Sequence, residues 1–324
     1  MQQEIRFATF NVFNLAPAGA RLYDNLLPTT AEEYEAKLAW TARQVDLLDA
    51  DVIGFQEIFS QDCLRAVLAR TTKYRDAVHV GFDPDPAAER LTPSVALVSR
   101  LPLAAPGVAL ALYPDGVAMP DGMRDADRFS RPLVHAAVVV SPDVTVDVVV
   151  VHLKSKRPDY RNGDCGEDPL LFGMACLRSL VRRGTEAVAL RVLLTSMARL
   201  HQRAQVVLGD FNDTADAVTT TIVLGAGTPL SGRLFDAYQL QQRQDHLRHV
   251  GWSIAHEGQY TTIDHILVSE AFNPALPDAI GEVVDVVYLN DHVVMALPDA
   301  SDHGQVLARI RLFDEARGRM DAGV

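Results

Sequence analysis

The sequence predicts an α/β fold in which strands joined by a helical crossover are followed by strands joined by tight turns. Three observations carry this. Two short apolar runs near the start flank a helical stretch, β-branched runs separated by Pro, Gly and Asp occupy the middle, and a long Leu-, Ala- and Arg-rich segment follows them.

Taken in order, residues 5–10 (IRFATF) form a β-rich run, and residues 31–49 place Tyr34, Leu38, Val45 and Leu48 on one helical face. Residues 51–55 (DVIGF) are too short for an independent helix and read as the second strand, with a helical stretch at 61–70 after it. Residues 94–99, 133–140 and 145–153 are β-branched runs whose separating turns suit hairpins, one of them at Asp143. The run 146–151 is nearly all Val, too continuous for a strand with one wet face, and predicts a central strand covered on both sides. Residues 158–169 are polar and Gly-bearing, a loop, and residues 170–201 read as one or two helices. Residues 205–208, 262–269, 282–289 and 305–312 supply the last strands, and residues 314–324 read as a frayed tail. No repeat, low-complexity tract or linker divides the 324 residues, so the chain is expected to form one domain, 1–324.

Bulk properties exclude some functions. With 48% hydrophobic residues the chain is an ordered globular protein. Its formal charge of −12 argues against a protein that coats nucleic acid non-specifically, since such binders neutralise phosphates with Lys and Arg. An enzyme needs only a local cationic strip, and a bound metal ion supplies part of that charge. Cys63, Cys165 and Cys176 show neither disulfide pairing nor zinc-ligand spacing and read as packing residues. No run of about 18 apolar residues suggests a transmembrane segment, and the start MQQEIRFATF lacks a signal-peptide pattern. As written the protein is expected in the cytoplasm, or secreted if its native N-terminus is missing.

Residues able to bind a metal or move a proton recur at the ends of these strands, where α/β scaffolds place active sites. They are Asn11, Glu57, His152, Asp210, Asn212, Asp264, Asp302 and His303. Each has an ordinary reading: Asn11 as a turn former, Glu57 as a solvated strand end, His152 as a core imidazole. Together Asn11 and Glu57 offer hard oxygen ligands suited to Mg²⁺ or Mn²⁺. Lys154, Lys156 and Arg157 directly follow His152 and could dock a phosphate, or could simply be a solvated loop. The segment 206–213 (VVLGDFND) is the sharpest signal, presenting Asp210 and Asn212 two residues apart on one side of extended chain. Asp-His occurs four times; only Asp302-His303 directly precedes an apolar strand, Asp264-His265 lies inside one, and Asp245-His246 and Asp291-His292 read as surface pairs.

These residues resemble the endonuclease/exonuclease/phosphatase superfamily, which includes deoxyribonuclease I, abasic-site endonucleases, neutral sphingomyelinases and inositol polyphosphate 5-phosphatases. Six motifs stand in family order: FNVFNL at 10–15, GFQE at 54–57, VHLKSK at 151–156, GDFND at 209–213, TIDHILV at 262–268 and SDHGQV at 301–306. FSRPL at 129–133, HLKSK and the loop with Asp164-Cys165-Gly166 look most like the nuclease domain of large bacterial extracellular nucleases, and suggest Arg131 as a phosphate contact or a loop pin. His265 stands where Tyr is frequent and Gln305 where Pro is frequent. The carboxylate that assists the acid histidine in deoxyribonuclease I has no assigned counterpart near Glu89.

The resemblance implies a four-layer sandwich of two packed mixed β-sheets flanked by helices. It also implies a metal-dependent phosphodiesterase cleaving nucleic acid by in-line attack of water. Asn11 and Glu57 would bind Mg²⁺ or Mn²⁺ with Asp302 beside it, and Asp264 would orient His303. Asp210 would position the water, and either Asp210 or His303 would be the base. Asn212, His152 and the metal would stabilise the phosphorane, with His152 or a water on the metal protonating the leaving oxygen. Arg131, Lys154 and Lys156 would contact substrate. Alternative readings are a phosphoesterase acting on a small-molecule or lipid substrate, mildly favoured by the acidic charge, and a catalytically silent binding module, which the eight usable side chains disfavour.

Overall fold

The computed structural model describes residues 3–83, 91–120, 127–161, 166–227, 232–242, 251–256 and 258–313. Along the chain come β1 (Glu4–Leu15), α1 (Ala31–Leu48), β2 (Val52–Ile58), α2 (Gln61–Leu68), β3 (Val78–Gly81), β4 (Ser94–Ser99) and β5 (Val108–Leu112). Then follow β6 (Arg128–Ser141), β7 (Val144–His152), α3 (Pro169–His201), β8 (Ala204–Asp210), α4 (Val218–Leu224), β9 (Leu234–Asp236) and α5 (Ala237–Leu240). The last elements are β10 (Ile254–His256), β11 (Gln259–Thr261), β12 (Asp264–Ser269), β13 (Gly281–Leu289), α6 (Asp291–Met295) and β14 (Gln305–Leu312).

Local chemistry sets the helix ends. Thr30 and Glu33 form a reciprocal capping box at the start of α1, and Asp49 ends it in the left-handed region. Asp168 accepts from the backbone N–H groups of Leu170 and Leu171 with Pro169 in the first turn, and Gln202 turns the chain out of α3 with φ +52°. Residues 170–201 therefore make a single helix.

Two six-stranded mixed sheets face each other, ordered β13-β14-β1-β2-β4-β3 and β5-β6-β7-β8-β12-β9. Each has one parallel pair at its centre, β1–β2 joined through α1 and β7–β8 joined through α3, with antiparallel strands on both sides. Phe7, Val52, Leu97 and Val306 of the first sheet share a core with Val148, Val150, Leu208 and Ile266 of the second. The sheets approach so closely at Gly54 that a Cβ there would stand 3.0 Å from Leu208 Cβ. On the outer faces Phe10, Ile53, Phe55 and Val98 pack with Leu38, Trp40 and Val45 of α1, and Val149, Val151 and Val207 pack with Leu190 and Leu194 of α3. This is the expected four-layer sandwich. Burying apolar side chains on both faces of each sheet, at roughly 25 cal/mol per Å², drives its assembly.

Strand 94–99 corrects one expectation. It does not form a hairpin with the strands after it; β4 pairs with β2 and β3 in the first sheet, while β6 and β7 form their hairpin in the second. All six β4 residues are buried, so both faces seek cover, and turn residues mark a reversal without selecting the sheet the chain rejoins. The run 146–151 is central, as its composition predicts, lying between β6 and β8. Cys63 is buried and Cys176 partly so, whereas Cys165 and the tail 314–324 lie outside the described residues. Among the described residues no helix is long and apolar enough to cross a membrane.

Strand register gathers the site. In the parallel pairs Asn11 stands opposite Gln56, beside Glu57, and His152 stands opposite Asp210. Strands β12 and β14 run antiparallel to β8 and β1, so their starts lie at the same end: Asp264 pairs with Asp210, and Val306, just beyond Asp302 and His303, pairs with Thr9.

Candidate active site

Backbone irregularity aims the first ligands. The β1–β2 register shifts between Asn11 and Leu15, and the β2–β4 register shifts between Gln56 and Ile58. Phe13, Asn14, Glu57 and Asn212 all have positive φ, between 54° and 62°. Left-handed backbone costs a side-chain-bearing residue about 1–2 kcal/mol, and here it lifts Glu57 out of its ladder toward Asn11 and turns the chain at Asn212 just beyond Asp210.

The centre of the site is the Asn11 side chain. Its Nδ2 donates to Asp210 Oδ2 at 3.1 Å and to Glu57 Oε1 at 3.4 Å, and lies 3.5 Å from His303 Nε2. Glu57 Oε2 accepts from the Asn14 N–H at 2.9 Å, and Asp210 Oδ1 accepts from the Asn212 N–H at 2.7 Å. His303 Nδ1 donates to Asp264 Oδ2 at 2.8 Å, both side chains buried. His152 Nε2 stands 3.4 Å from Asp210 Oδ2, and Asp302, half exposed at the rim, brings Oδ1 to 3.9 Å from His303 Nε2. One ligand atom each from Asp210, Asp264 and His303 lies within 4.8 Å of the others.

Burial and crowded charge polarise the group. Burial, with the neighbouring Asp264 charge, pushes the Asp210 carboxyl up to about 7. Burial and then Glu57 raise Asp302, with His303 opposing. Burial works against charge on His303, but Asp264, Asp210 and Asp302 outweigh it and hold the imidazole well above its ordinary value. His152 is held well below its own by burial, Arg131 and His303, and is a neutral imidazole.

Four carboxylates thus meet few cations, and Asp264 Oδ1 and Asn14 Oδ1 are buried without a hydrogen-bond partner. Surplus hard oxygen donors of this kind fit a divalent cation.

The basic residues are placed differently. Arg131 donates to the His152 and Leu153 carbonyls and so pins the strand end. Lys154 Nζ donates to the carbonyls of Ser155 and Arg157 and to Ser179 Oγ, and burial, helped by Arg131, lowers it to about 8. Lys156 pairs with Asp213 at 2.9 Å and keeps 60% of its side chain exposed. The Asn212 amide donates to the Leu153 carbonyl at 2.9 Å. His265 is a structural residue, fixed by Asp236 Oδ2 and the Asp213 carbonyl. His292 corrects the surface reading of its pair: it is buried against Trp40, with Nε2 donating to the His303 carbonyl at 2.8 Å. Asp245, His246 and Glu89 lie outside the described residues.

Three contributors escape sequence reasoning. Ser301 Oγ donates to the Asn11 carbonyl at 2.6 Å and accepts from the His303 N–H at 3.0 Å, stapling β1 to the turn before β14. Glu186 of α3 is buried and accepts from the Ser130 and Lys154 N–H groups. Lys37 of α1 donates to the Ala300 carbonyl above the Phe13 and Trp40 rings; burial lowers it to about 8 against the pull of Asp302 and Glu57. Helix residues with ordinary exposed-face chemistry carry no local signal of such roles.

Solved structures share the architecture. An endonuclease/exonuclease/phosphatase family protein from Bacteroides thetaiotaomicron superposes with a TM-score of 0.58 at 16% identity, covering 98% of this chain and 97% of its own. The human Nocturnin catalytic domain with bound sulfate anion gives 0.59 at 15% identity, covering 97% and 96%. A mannosyl-6-phosphatase from Bacteroides thetaiotaomicron VPI-5482 gives 0.56 at 15% identity, covering 94% and 99%. At these identities the likeness is one of fold. No curated protein sequence matches the chain. The sequence itself matches the Endonuclease/Exonuclease/phosphatase family over residues 8–303, nearly its whole length, and with the sandwich and the clustered strand-end residues in place the chain belongs to that family.

Proposed function

We propose that the chain, acting as one catalytic unit, is a divalent-metal-dependent phosphodiesterase that hydrolyses nucleic-acid phosphodiester bonds. The observation that carries this reading is the Asn11 amide, which reaches Glu57, Asp210 and His303 from within 3.5 Å and so ties an oxygen-rich cation site to an acid–base pair. The resemblance of FSRPL at 129–133 and HLKSK at 152–156 to bacterial extracellular nucleases supports nucleic acid as the substrate class.

Asn11, Glu57 and Asp302 would hold Mg²⁺ or Mn²⁺, which when bound supplies positive charge to the phosphoryl oxygens and favours the ionised form of Asp210. Asp210, raised toward neutrality and held by the Asn212 N–H and Asn11, takes the proton of the attacking water. His303, kept charged by Asp264, donates from Nε2 to a non-bridging oxygen as negative charge builds on phosphorus. His152 is neutral and can give a hydrogen bond on the leaving side. Lys156, with 60% of its side chain exposed beyond its pair with Asp213, can meet a flanking phosphate.

One observation favours a second reading. Lys154 Nζ is held by the Ser155 and Arg157 carbonyls and Ser179 Oγ, Arg131 Nη1 is turned to the His152 and Leu153 carbonyls, and the net charge is −12, which suits a small or lipid phosphoester better than a polyanion. The mannosyl-6-phosphatase among the similar folds is by its name a phosphatase of a mannosyl phosphate.

Supercoiled plasmid, RNA, bis(p-nitrophenyl) phosphate and lipid phosphodiesters assayed side by side with Mg²⁺ or Mn²⁺ separate the two. Nicking of plasmid or cleavage of RNA that disappears in Asp210→Asn supports the nuclease. Turnover confined to the small or lipid esters replaces it with the second reading, and no turnover of any ester leaves a binding module.

A further inference from the structure

We propose that His135, Asp147 and His201 form a second cation site, built for a zinc-class divalent ion and separate from the active site. Up to its terminal His152, strand β7 is otherwise a run of Val and Thr, and Asp147 interrupts it with a side chain of 0% exposure. Burying a carboxylate in an apolar strand is costly unless other groups take its charge. A Val there would continue the strand at no such cost.

Strand register explains why the three residues meet. His135 pairs with Val149 and Ala137 with Asp147, so His135 and Asp147 are diagonal neighbours on the sheet face turned to α3. His201 is the last residue of α3, and the left-handed Gln202 turns the chain directly into β8, where Gln205 pairs with Asp147. His135 Nε2 then stands 3.0 Å from Asp147 Oδ1 and His201 Nδ1 stands 2.7 Å from Oδ2. The two rings are stacked 5.9 Å apart at 22°, and one ligand atom from each residue lies within 4.8 Å of the others.

Two imidazole nitrogens and one carboxylate oxygen are the donor set of Zn²⁺ and its neighbours Co²⁺ and Ni²⁺, and a poor one for Mg²⁺, which prefers oxygen and water. The His135 and His201 side chains are 14% and 27% exposed, which leaves an entry path and room for water to complete the coordination. The C-terminal end of α3 adds the negative end of a helix dipole to the same spot. Arg203 Nη1 reaches Asp147 Oδ1 at 3.5 Å from a side chain 37% exposed, so it competes with a cation and can be displaced by one. Asp147 stands five residues before His152 along β7, roughly 17 Å away at ~3.3 Å per residue, so an ion here takes no part in the active-site chemistry.

The test uses the full chain stripped of metal, titrated with ZnCl₂ by calorimetry and with CoCl₂ by visible absorption. Wild type and the active-site variant Glu57→Gln should both take up an ion that His135→Gln/His201→Gln binds more than ~10²-fold more weakly or not at all, since loss of ligands exceeds the 10–100-fold effect of a supporting partner. The double variant should keep its Mg²⁺-dependent turnover, and Arg203→Ala should bind Zn²⁺ more tightly. Should the double variant fail to fold, His201→Gln alone, at a helix end, gives the same comparison. Equal Zn²⁺ affinity in wild type and the histidine variants, or no cobalt absorption in wild type, overturns the site. Weaker binding in Arg203→Ala overturns it too, because removing an arginine that competes with the cation for Asp147 must raise the affinity, not lower it.

Discussion

Replacing Asp264 with Asn isolates the electrostatic support of His303. In the native site the carboxylate accepts from His303 Nδ1 at 2.8 Å with both side chains buried, and it is the leading reason the imidazole stays charged. A buried hydrogen bond to a charged group is worth about 1.5–3 kcal/mol, and 1.36 kcal/mol is a factor of ten in rate, so removing the charge slows turnover by about 10²-fold. That agrees with the 10²–10³-fold effect, roughly, of losing one donor to a developing oxyanion. The sign of the pH effect follows: if the charged imidazole is the active form, lowering its pKa moves the alkaline limb of the rate profile to lower pH. The assay is kcat against pH on bis(p-nitrophenyl) phosphate with saturating Mg²⁺, with circular dichroism and thermal melting to confirm folding. Because the two residues act as a unit, Asp264→Asn added to His303→Ala should cost little beyond His303→Ala alone. A folded Asp264→Asn enzyme within about threefold of wild type, with an unmoved alkaline limb, refutes the pairing's role.

Chelation should abolish hydrolysis, with Mg²⁺ or Mn²⁺ restoring it; activity that survives EDTA removes the metal from the scheme. Gly209→Ala should destabilise the fold by about 3 kcal/mol or more, because its Cβ would stand 2.1 Å from the Val151 carbonyl oxygen in the parallel β7–β8 pair; an unchanged melting temperature contradicts that register. Burial raises the Asp49 carboxyl, but hydrogen bonds from Lys73, Arg100 and Arg6 outweigh it and bring it down to about 2. A depressed carboxylate stabilises the fold above its unfolded value near 4 and loses that contribution as pH falls toward 2. With the side chain 28% exposed the effect is about 1 kcal/mol after screening, so Asp49→Asn should lower stability at pH 7 by that amount and by only a small fraction of it at pH 2. Urea unfolding at the two pH values reads it directly.

Much of the fold and of the candidate site was legible in the chain. Apolar runs ending in Asn11, Glu57, His152 and Asp210 mark strands that open onto a common edge, since a polar side chain at a buried strand end needs a partner or a function. The Val run at 146–151 reported its own central position, because burial on both faces removes any need for alternation. The order of six short motifs indicated the family without any contact being known.

Other features depend on which distant segments pair, and no local pattern encodes that. Strand 94–99 carries the same β-branched signal in either sheet; its two buried faces joined it to β2 and β3. Closeness to His152 marks Lys154 as a phosphate contact, and the FSRPL resemblance marks Arg131 as a phosphate contact or a loop pin; only the fold shows Lys154 Nζ held by two carbonyls and Ser179 Oγ, and Arg131 Nη1 pinning the end of β7. His292 read as a surface residue until Trp40 and the His303 carbonyl enclosed it. Composition and periodicity determined the layers, because burial is a property of each segment; tertiary structure alone decided the partners, because hydrogen bonds and charges act over a few ångströms between residues that the chain keeps far apart.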